Sequence, residues 1–255
     1  MSQVDPKETD VKISETYNAD DADLVLVSSD EIHFKVHSYY LKAASVVFRA
    51  MLDSPNLDAK KGDRPLPTIY LTDNDIETAE VLEGALGIIY ERPFPPDPAE
   101  YRDELRKIIP LLRKYECDGT IARIRLLLHS WITYSNHGAW SAFLVSVAMD
   151  DIVTCARAMR RAGKCGLSGS SVLQGAQKST TVFDLGSLSL TTFSKIPGPT
   201  VWAILRATKS QPTSTEGWNE IADQFLKLLE VKAVNGRDDN GGVLGIEGGN
   251  DGGSV

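Results

Sequence analysis

Residues 22–52 read ADLVLVSSDEIHFKVHSYYLKAASVVFRAML and contain the change of hydrophobic period that decides the fold. Apolar residues first alternate with other residues, as in half-buried strands, on both sides of the turn-forming sequence SSDE at 28–31. From Leu41 to Leu52 the apolar residues instead recur at steps of three and four, which is the helical period. The stretch therefore predicts a β-hairpin that is followed directly by helix.

Most of the chain after this hairpin has a helical pattern. A charged, proline-containing loop at 53–67 precedes a short strand at 68–71, and a helix with one apolar face follows over 76–89. Because the strands come before the helices instead of alternating with them, the sequence predicts an α+β fold class with a small sheet and a helical C-terminal region. The later apolar faces predict further helices at about 105–112, 121–132, 139–149, 151–162 and 218–232.

Pro110 lies inside the first of these later helices. Proline has no N–H to donate and its ring clashes with the preceding turn, at a cost of about 3 kcal/mol inside a helix. We therefore expect a bend or a break at this position.

Both ends of the chain have the composition of disordered segments. Residues 1–22 hold six acidic residues and two lysines, and the last twenty residues hold eight glycines among Asp and Asn. Such segments cannot bury enough apolar surface to offset the entropy of ordering. We predict a disordered acidic tail at 1–22, in which VKIS at 11–14 could add an edge strand to a partner, and a disordered Gly/Asp-rich tail at 234–255.

Charge and cysteine usage exclude several classes of function. The net charge of −8 lies almost entirely in the two tails, and the rest lacks the clustered Lys and Arg that binding to phosphates requires, so we expect no direct nucleic-acid binding. Cys117, Cys155 and Cys165 have no paired spacing, which disfavours a disulfide framework and a zinc site. No apolar run reaches the roughly 18 residues that cross a bilayer. These features predict a soluble intracellular protein, with no choice between cytoplasm and nucleus.

No local motif supplies a catalytic or cofactor-binding site. Gly163-Lys164-Cys165 lacks the earlier glycine and the hydroxyl of a P-loop, and GLSGSS at 166–171 lacks the second glycine of a nucleophile elbow. The four histidines have no third ligand at a metal-like spacing. DNDIE at 73–77 is better explained by helix capping than by a calcium loop. We expect no catalytic residue, no metal and no cofactor.

The hairpin-helix stretch resembles the start of a BTB/POZ domain. That family pattern has an Asp before the first strand, a His after the second, a helix that begins near a Leu, a Ser, and then Phe-[Arg/Lys]-x-Met. TIYLTDNDIETAEVLEGALGIIYERPF at 68–94 and LRKIIPLLRKYECDGTIARIRLLLHSW at 105–131 resemble the next segments of the family in the right order. The residues that fill the motif or could lie in a dimer interface are Asp23, Lys35, His37, Leu41, Ser45, Phe48, Arg49 and Met51.

The resemblance implies a BTB/POZ domain at 23–135 and a helical region at 136–233 that looks like the extension of fungal, mushroom-type BTB proteins. Family members bind other proteins, dimerise, and in some cases recruit cullin ubiquitin ligases. The implied function is a non-catalytic protein–protein interaction module that self-associates, as a dimer at most, or recruits a partner protein. Two alternatives stay open, a substrate-recruiting adaptor of a cullin ligase and a small hydrolytic enzyme. The adaptor is disfavoured because 53–67 contains no Glu.

The motif departs from the family at one position. In many dimeric members a basic residue follows the His and pairs with the early Asp, whereas this chain has Ser38 there. Burying Asp23 without a partner would cost several kcal/mol, so either Lys35 is its partner or the usual dimer is weakened. We expect His37, Phe48 and Met51 to be core or helix-start residues more than contact residues. Tyr39 and Tyr40 are candidate anchors for a partner.

Overall fold

The computed structural model describes residues 11–54, 66–95, 98–134, 136–163, 181–209 and 217–238. Most of the loops predicted at 53–67 and 163–181 lie outside these ranges, as do residues 1–10 and 239–255 of the two predicted tails.

Four strands form one small mixed sheet in the order β1-β3-β2-β4. The predicted hairpin is confirmed, since β2 and β3 are antiparallel with Leu24 opposite Val36 and Leu26 opposite Phe34. These four side chains have no exposed surface, so the alternating pattern places one face of the hairpin in the core. The strands are β1 Ile13–Asn18, β2 Leu24–Val27, β3 His33–Val36 and β4 Thr68–Tyr70.

β1 corrects the prediction that the whole of residues 1–22 is disordered. The strand lies parallel to β3 of its own chain, with Ile13 opposite His33, and the Tyr17 side chain is buried with its ring 6.1 Å from that of Phe34. The acidic composition of this segment is typical of disorder and does not indicate the strand. The open edge of β3 offers backbone hydrogen bonds to it, and Tyr17 anchors it in the core.

Ten α-helices lie in the described part of the chain, and α3 confirms the helix predicted over 76–89 with a later start. Their bounds are α1 Ser38–Ala44, α2 Val46–Leu52, α3 Ala79–Ile89, α4 Pro98–Lys114, α5 Asp118–Tyr134, α6 Asn136–Ala148, α7 Ile152–Ala162, α8 Leu190–Phe193, α9 Gly198–Lys209 and α10 Gly217–Asp238. None of the described helices is both long enough and apolar enough to cross a membrane.

α4 runs through Pro110 without interruption, so a break at this proline does not occur. Pro110 is exposed, whereas Ile108, Ile109, Leu111 and Leu112 on either side of it are buried. Burying one such side chain contributes about 1.5–3 kcal/mol. Four of them outweigh the roughly 3 kcal/mol cost of a proline in a helix interior.

The C-terminal helices share a hydrophobic core with the N-terminal part. α6 packs against α4, α5 and α7, α10 packs against α7 and α9, and one cluster of buried residues extends from Tyr17 to Phe225. The Lys195 ammonium lies 2.7 Å from an Asp103 carboxylate oxygen on α4, and the Arg106 guanidinium donates to the Lys195 carbonyl at 2.7 Å. The predicted α+β fold with a helical C-terminal region is confirmed. α10 continues to Asp238, so the tail predicted from 234 begins too early.

Tyr115, immediately after α4, connects α2 to the segment that precedes α3. Its ring stacks on Phe48 with a centroid distance of 4.3 Å and an interplanar angle of 9°. The Ser45 hydroxyl donates to the Tyr115 carbonyl, and the Tyr115 hydroxyl donates to Glu77 Oε1 at 2.5 Å. Tyr115 therefore connects α2, the segment that precedes α3 and the end of α4.

Glu77 is a buried carboxylate whose hydrogen-bonding capacity is filled from three directions. Besides Tyr115, the Asp73 N–H donates to it at 2.7 Å and the Lys114 ammonium lies 2.8 Å away. Burial on its own acts to raise the pKa of Glu77, but the hydrogen bonds from Lys114, Tyr115 and Asp73 outweigh it and hold the pKa below the ordinary 4.5. The carboxylate is therefore charged and fully partnered at neutral pH.

We expect Glu77→Gln to lower the free energy of unfolding by about 2 kcal/mol at neutral pH, because buried hydrogen bonds to a charged group each contribute about 1.5–3 kcal/mol. A depressed pKa in the folded state gives stability that is complete above the unfolded pKa near 4.5 and is lost as pH falls through the lower folded value. The difference between wild type and variant should therefore shrink in acid. Urea unfolding across this pH range measures it.

The matched control is Glu80→Gln, which removes an exposed ion pair with Lys107 (2.7 Å) and should cost under about 1 kcal/mol. Equal losses for the two variants, or a loss for Glu77→Gln that persists at the lowest pH, would contradict the assignment of Glu77 as a buried anchor.

Candidate interaction surface

Four large apolar side chains are exposed on the two short helices α1 and α2. Tyr39 exposes 74% of its surface, Val46 55%, Tyr40 40% and Met51 39%. These four residues are called the α1–α2 surface below. The opposite sides of the same helices bury Leu41 and Phe48 in the core, so the helices are held from within and offer apolar groups to solvent.

The tyrosines of this surface rest on a supporting ring. Tyr40 stacks on Tyr90 with a centroid distance of 4.3 Å, and Tyr39 meets the Tyr40 ring edge-on at 5.7 Å. The His37 ring lies 6.2 Å from Tyr40 and 6.1 Å from Tyr90. Aromatic side chains that are already ordered lose little entropy on binding, which is favourable for an interface anchor.

Tyr90 also fixes the start of α1. Its hydroxyl accepts the His37 backbone N–H at 2.7 Å and lies 3.2 Å from His37 Nδ1. Burial raises the pKa of Tyr90, although the hydrogen bond from the His37 N–H acts in the opposite direction. The sequence alone does not reveal this role, because Tyr90 and His37 lie 53 positions apart.

Asp23 is partnered by Ser38 and not by Lys35. Its carboxylate accepts the Ser38 backbone N–H at 2.6 Å and the Ser38 hydroxyl at 2.7 Å, which satisfies a free donor at the start of α1. Burial acts to raise the pKa of Asp23, but the two hydrogen bonds from Ser38 lower it below its usual value. Lys35 lies on β3 opposite Val25 and makes no ion pair with any residue that the structure describes.

The other motif residues divide into buried and exposed groups. Leu41 and Phe48 are core residues, and Ser45 is the buried N-cap of α2, where its hydroxyl accepts the Phe48 N–H at 2.9 Å. Arg49 is exposed, and its Nη2 atom donates to the Lys42 carbonyl oxygen at 2.8 Å.

The expectation of core or helix-start positions agrees with the structure at Phe48 and at His37, which is the N-cap of α1. Met51 differs, because it lies on the exposed side of α2. A role of the motif residues in a dimer interface stays a prediction.

The sheet ends in two edge strands, and each carries exposed apolar side chains. Ile13 lies at the β1 edge and Tyr70 at the β4 edge, and both are exposed. Edge strands present unpaired backbone groups with which another chain can pair.

The two described cysteines are buried thiols and belong to no metal-binding group of the described residues. Cys117 and Cys155 are buried, and burial raises the pKa of the Cys117 thiol to about 11 and that of Cys155 well above its usual value, so neither is a thiolate at neutral pH. No group of three or more His, Cys, Asp or Glu within the described ranges could hold a metal ion.

A comparison with known families finds a match over part of the chain. The model of the BTB/POZ domain family matches residues 14–130. No curated protein and no solved structure matches the chain. The matched span begins inside β1, in agreement with the finding that this strand is part of the folded unit.

We expect Asp23→Ala to lower the free energy of unfolding by about 1 kcal/mol, the usual cost of losing a side chain that caps a helix start. Lys35→Gln removes a charge that contacts no described carboxylate and should change stability by less than about 0.5 kcal/mol. Urea denaturation of both variants measures the two changes in the free energy of unfolding. A larger loss for Lys35→Gln than for Asp23→Ala would overturn the Asp23–Ser38 assignment.

Proposed function

We propose that the BTB/POZ domain at residues 14–130 makes this chain a non-catalytic interaction module, which binds a second copy of itself through the α1–α2 surface. BTB/POZ domains are protein-interaction domains. The chemistry of the α1–α2 surface supports this choice of surface and of partner.

The observation that carries the proposal is the exposure of Tyr39 and Tyr40 on an ordered aromatic support. Tyrosine is enriched among the residues that dominate binding free energy at protein interfaces. Apolar surface that is removed from water contributes about 25 cal/mol per Å². Val46 and Met51 extend the exposed apolar surface along the next helix, and Met adapts easily to the shape of a partner.

The Asp23–Ser38 contact supports self-association. An unpaired Asp23 would oppose burial in a dimer, because a charge without partners costs several kcal/mol in an interface. Asp23 already accepts two hydrogen bonds from Ser38 within its own chain. The absence of the family's basic residue at position 38 is therefore compensated internally, and a dimer does not require Lys35 to pair with Asp23.

The same surface can serve a different partner protein. An adaptor role with a cullin uses the same kind of module, so the partner must be identified by experiment. Affinity purification of the full chain from its native extract, followed by analysis for cullins, distinguishes self-association from the adaptor role. A cullin that is retained by the wild type and lost from an α1–α2 surface variant would replace self-association by the adaptor function.

We expect Tyr39→Glu to weaken self-association by at least about tenfold, because it places a charge in the centre of the proposed interface. The matched control is Tyr134→Glu on α5, where the tyrosine is 84% exposed and lies outside the α1–α2 surface. This control should change the dissociation constant less than about twofold. Sedimentation equilibrium of the full chain measures the association, and circular dichroism confirms that both variants are folded.

A wild-type chain that stays monomeric at high concentration, a stable tetramer, or a larger effect of Tyr134→Glu than of Tyr39→Glu would each contradict self-association through this surface.

A further inference from the structure

One side of α9 carries both large apolar and positively charged side chains that are exposed. Trp202 exposes 47% of its surface and Leu205 55%, and Arg206 and Lys209 are exposed as well. Because positions i, i+3, i+4 and i+7 lie on the same side of a helix, these four residues form one continuous face. They are called the α9 face below.

The α9 face is held in place by contacts on the other side of the helix and at its N-terminal end. Ala203, Ile204 and Ala207 are buried, and α9 packs against α10. The connection that leads into α9 is fixed on α4, because the Lys195 ammonium lies 2.7 Å from an Asp103 carboxylate oxygen. A partner therefore meets a face that is already ordered, which lowers the entropy lost on binding.

Trp202 is the exposed tryptophan of the chain. The sequence contains four tryptophans, and Trp131, Trp140 and Trp218 are 6%, 7% and 1% exposed. Tryptophan is among the residue types that most often dominate the free energy of binding at protein interfaces. With Leu205 beside it on the same side of the helix, Trp202 supplies an apolar anchor for a partner.

The charge of the α9 face selects an acidic partner. From Leu185 to Lys209 the chain has three basic residues and neither Asp nor Glu. The first of them, Lys195, is paired with Asp103, whereas Arg206 and Lys209 lie on the α9 face itself. Opposite charges across an interface determine which partner binds and in which register.

The spacing of the residues on the α9 face matches the side of a second helix. Trp202, Leu205 and Lys209 follow one another at steps of three and four, the spacing with which packed helices place apolar residues in their seam and charges at its flanks. Binding to a bilayer instead requires a broad apolar side with many cations, and this face has two large apolar side chains. The occupant that fits is helical, apolar on one side and acidic at the flanks.

We infer that the α9 face binds an acidic amphipathic helix of a partner protein. The apolar side of that helix packs on Trp202 and Leu205, and its carboxylates lie beside Arg206 and Lys209. This site shares no residue with the α1–α2 surface and would persist if self-association failed.

The test uses the full chain and a synthetic peptide of three heptads, with Leu at positions a and d, Glu at e and g, and Ala elsewhere. Anisotropy of the fluorescein-labelled peptide should show saturable binding that weakens as salt is raised. The same peptide with Lys in place of Glu should not bind. The unlabelled acidic peptide should protect tryptophan emission from quenching by acrylamide, because Trp202 is the tryptophan that the quencher reaches.

Two variants separate the apolar and the charged contributions. Trp202→Ala should weaken binding of the acidic peptide by at least about tenfold, because it removes the anchor. Arg206→Gln/Lys209→Gln leaves the anchor in place and should weaken binding by at least about fivefold, with a smaller dependence on salt. Circular dichroism confirms that both variants are folded.

The matched controls change the same kinds of residue away from the α9 face. Leu126→Ala removes a side chain on α5 that is 69% exposed, and Arg157→Gln/Lys227→Gln removes two charges from exposed positions on α7 and α10. Each control should change the affinity for the acidic peptide less than about twofold.

Four results would each overturn the site. They are no saturable binding by the wild type, losses in the controls equal to those in the α9 variants, equal binding of the basic peptide, and protection of Trp202 by phosphatidylserine vesicles but not by the acidic peptide. Protection of Trp202 that increases with protein concentration without any peptide would show that a second copy covers the face, and would overturn the choice of occupant.

Discussion

The contacts of Tyr115 are the constraint on which the arrangement of the N-terminal half depends. The ring packs flat against Phe48, the carbonyl accepts the Ser45 hydroxyl, and the phenol donates to the buried carboxylate of Glu77. Each contact joins elements far apart in the sequence, and together they place the inner sides of α1 and α2 against the core. The residues that α1 and α2 expose to solvent are therefore determined by the residues that these helices bury.

A continuous series of aromatic rings connects a buried residue to an exposed residue within 14–130. Tyr17 contacts Tyr90 edge-on at 5.5 Å, Tyr90 stacks on Tyr40, and Tyr40 contacts Tyr39. One end of the series is the buried side chain of Tyr17, and the other end is exposed on the α1–α2 surface.

The sequence predicts the features that depend on the local spacing of apolar residues. It does not predict the features that depend on contacts between residues far apart in the chain. The hairpin and α3 follow from the spacing of apolar residues, whereas β1 is acidic in composition and becomes a strand only because the edge of β3 is open to it. Pro110 was expected to bend or break α4, and the buried side chains on both sides of it prevent the break. For Asp23 the sequence offers Lys35 as the partner, whereas the structure has Ser38, which is the position where the chain departs from the family pattern. Glu77 and Tyr90 contact residues from separate segments, so no short motif contains their partners.

Hydrogen exchange of the full chain, measured by mass spectrometry at low and at high protein concentration, tests the role of the α1–α2 surface most directly. Contact with a second copy slows the exchange of backbone amides in the elements that are covered. Slower exchange at high concentration in peptides covering residues 38–52, with unchanged exchange in α9 and α10, is the expected result. Exchange that is the same at both concentrations, or that slows only in α9 and α10, would contradict binding through α1 and α2.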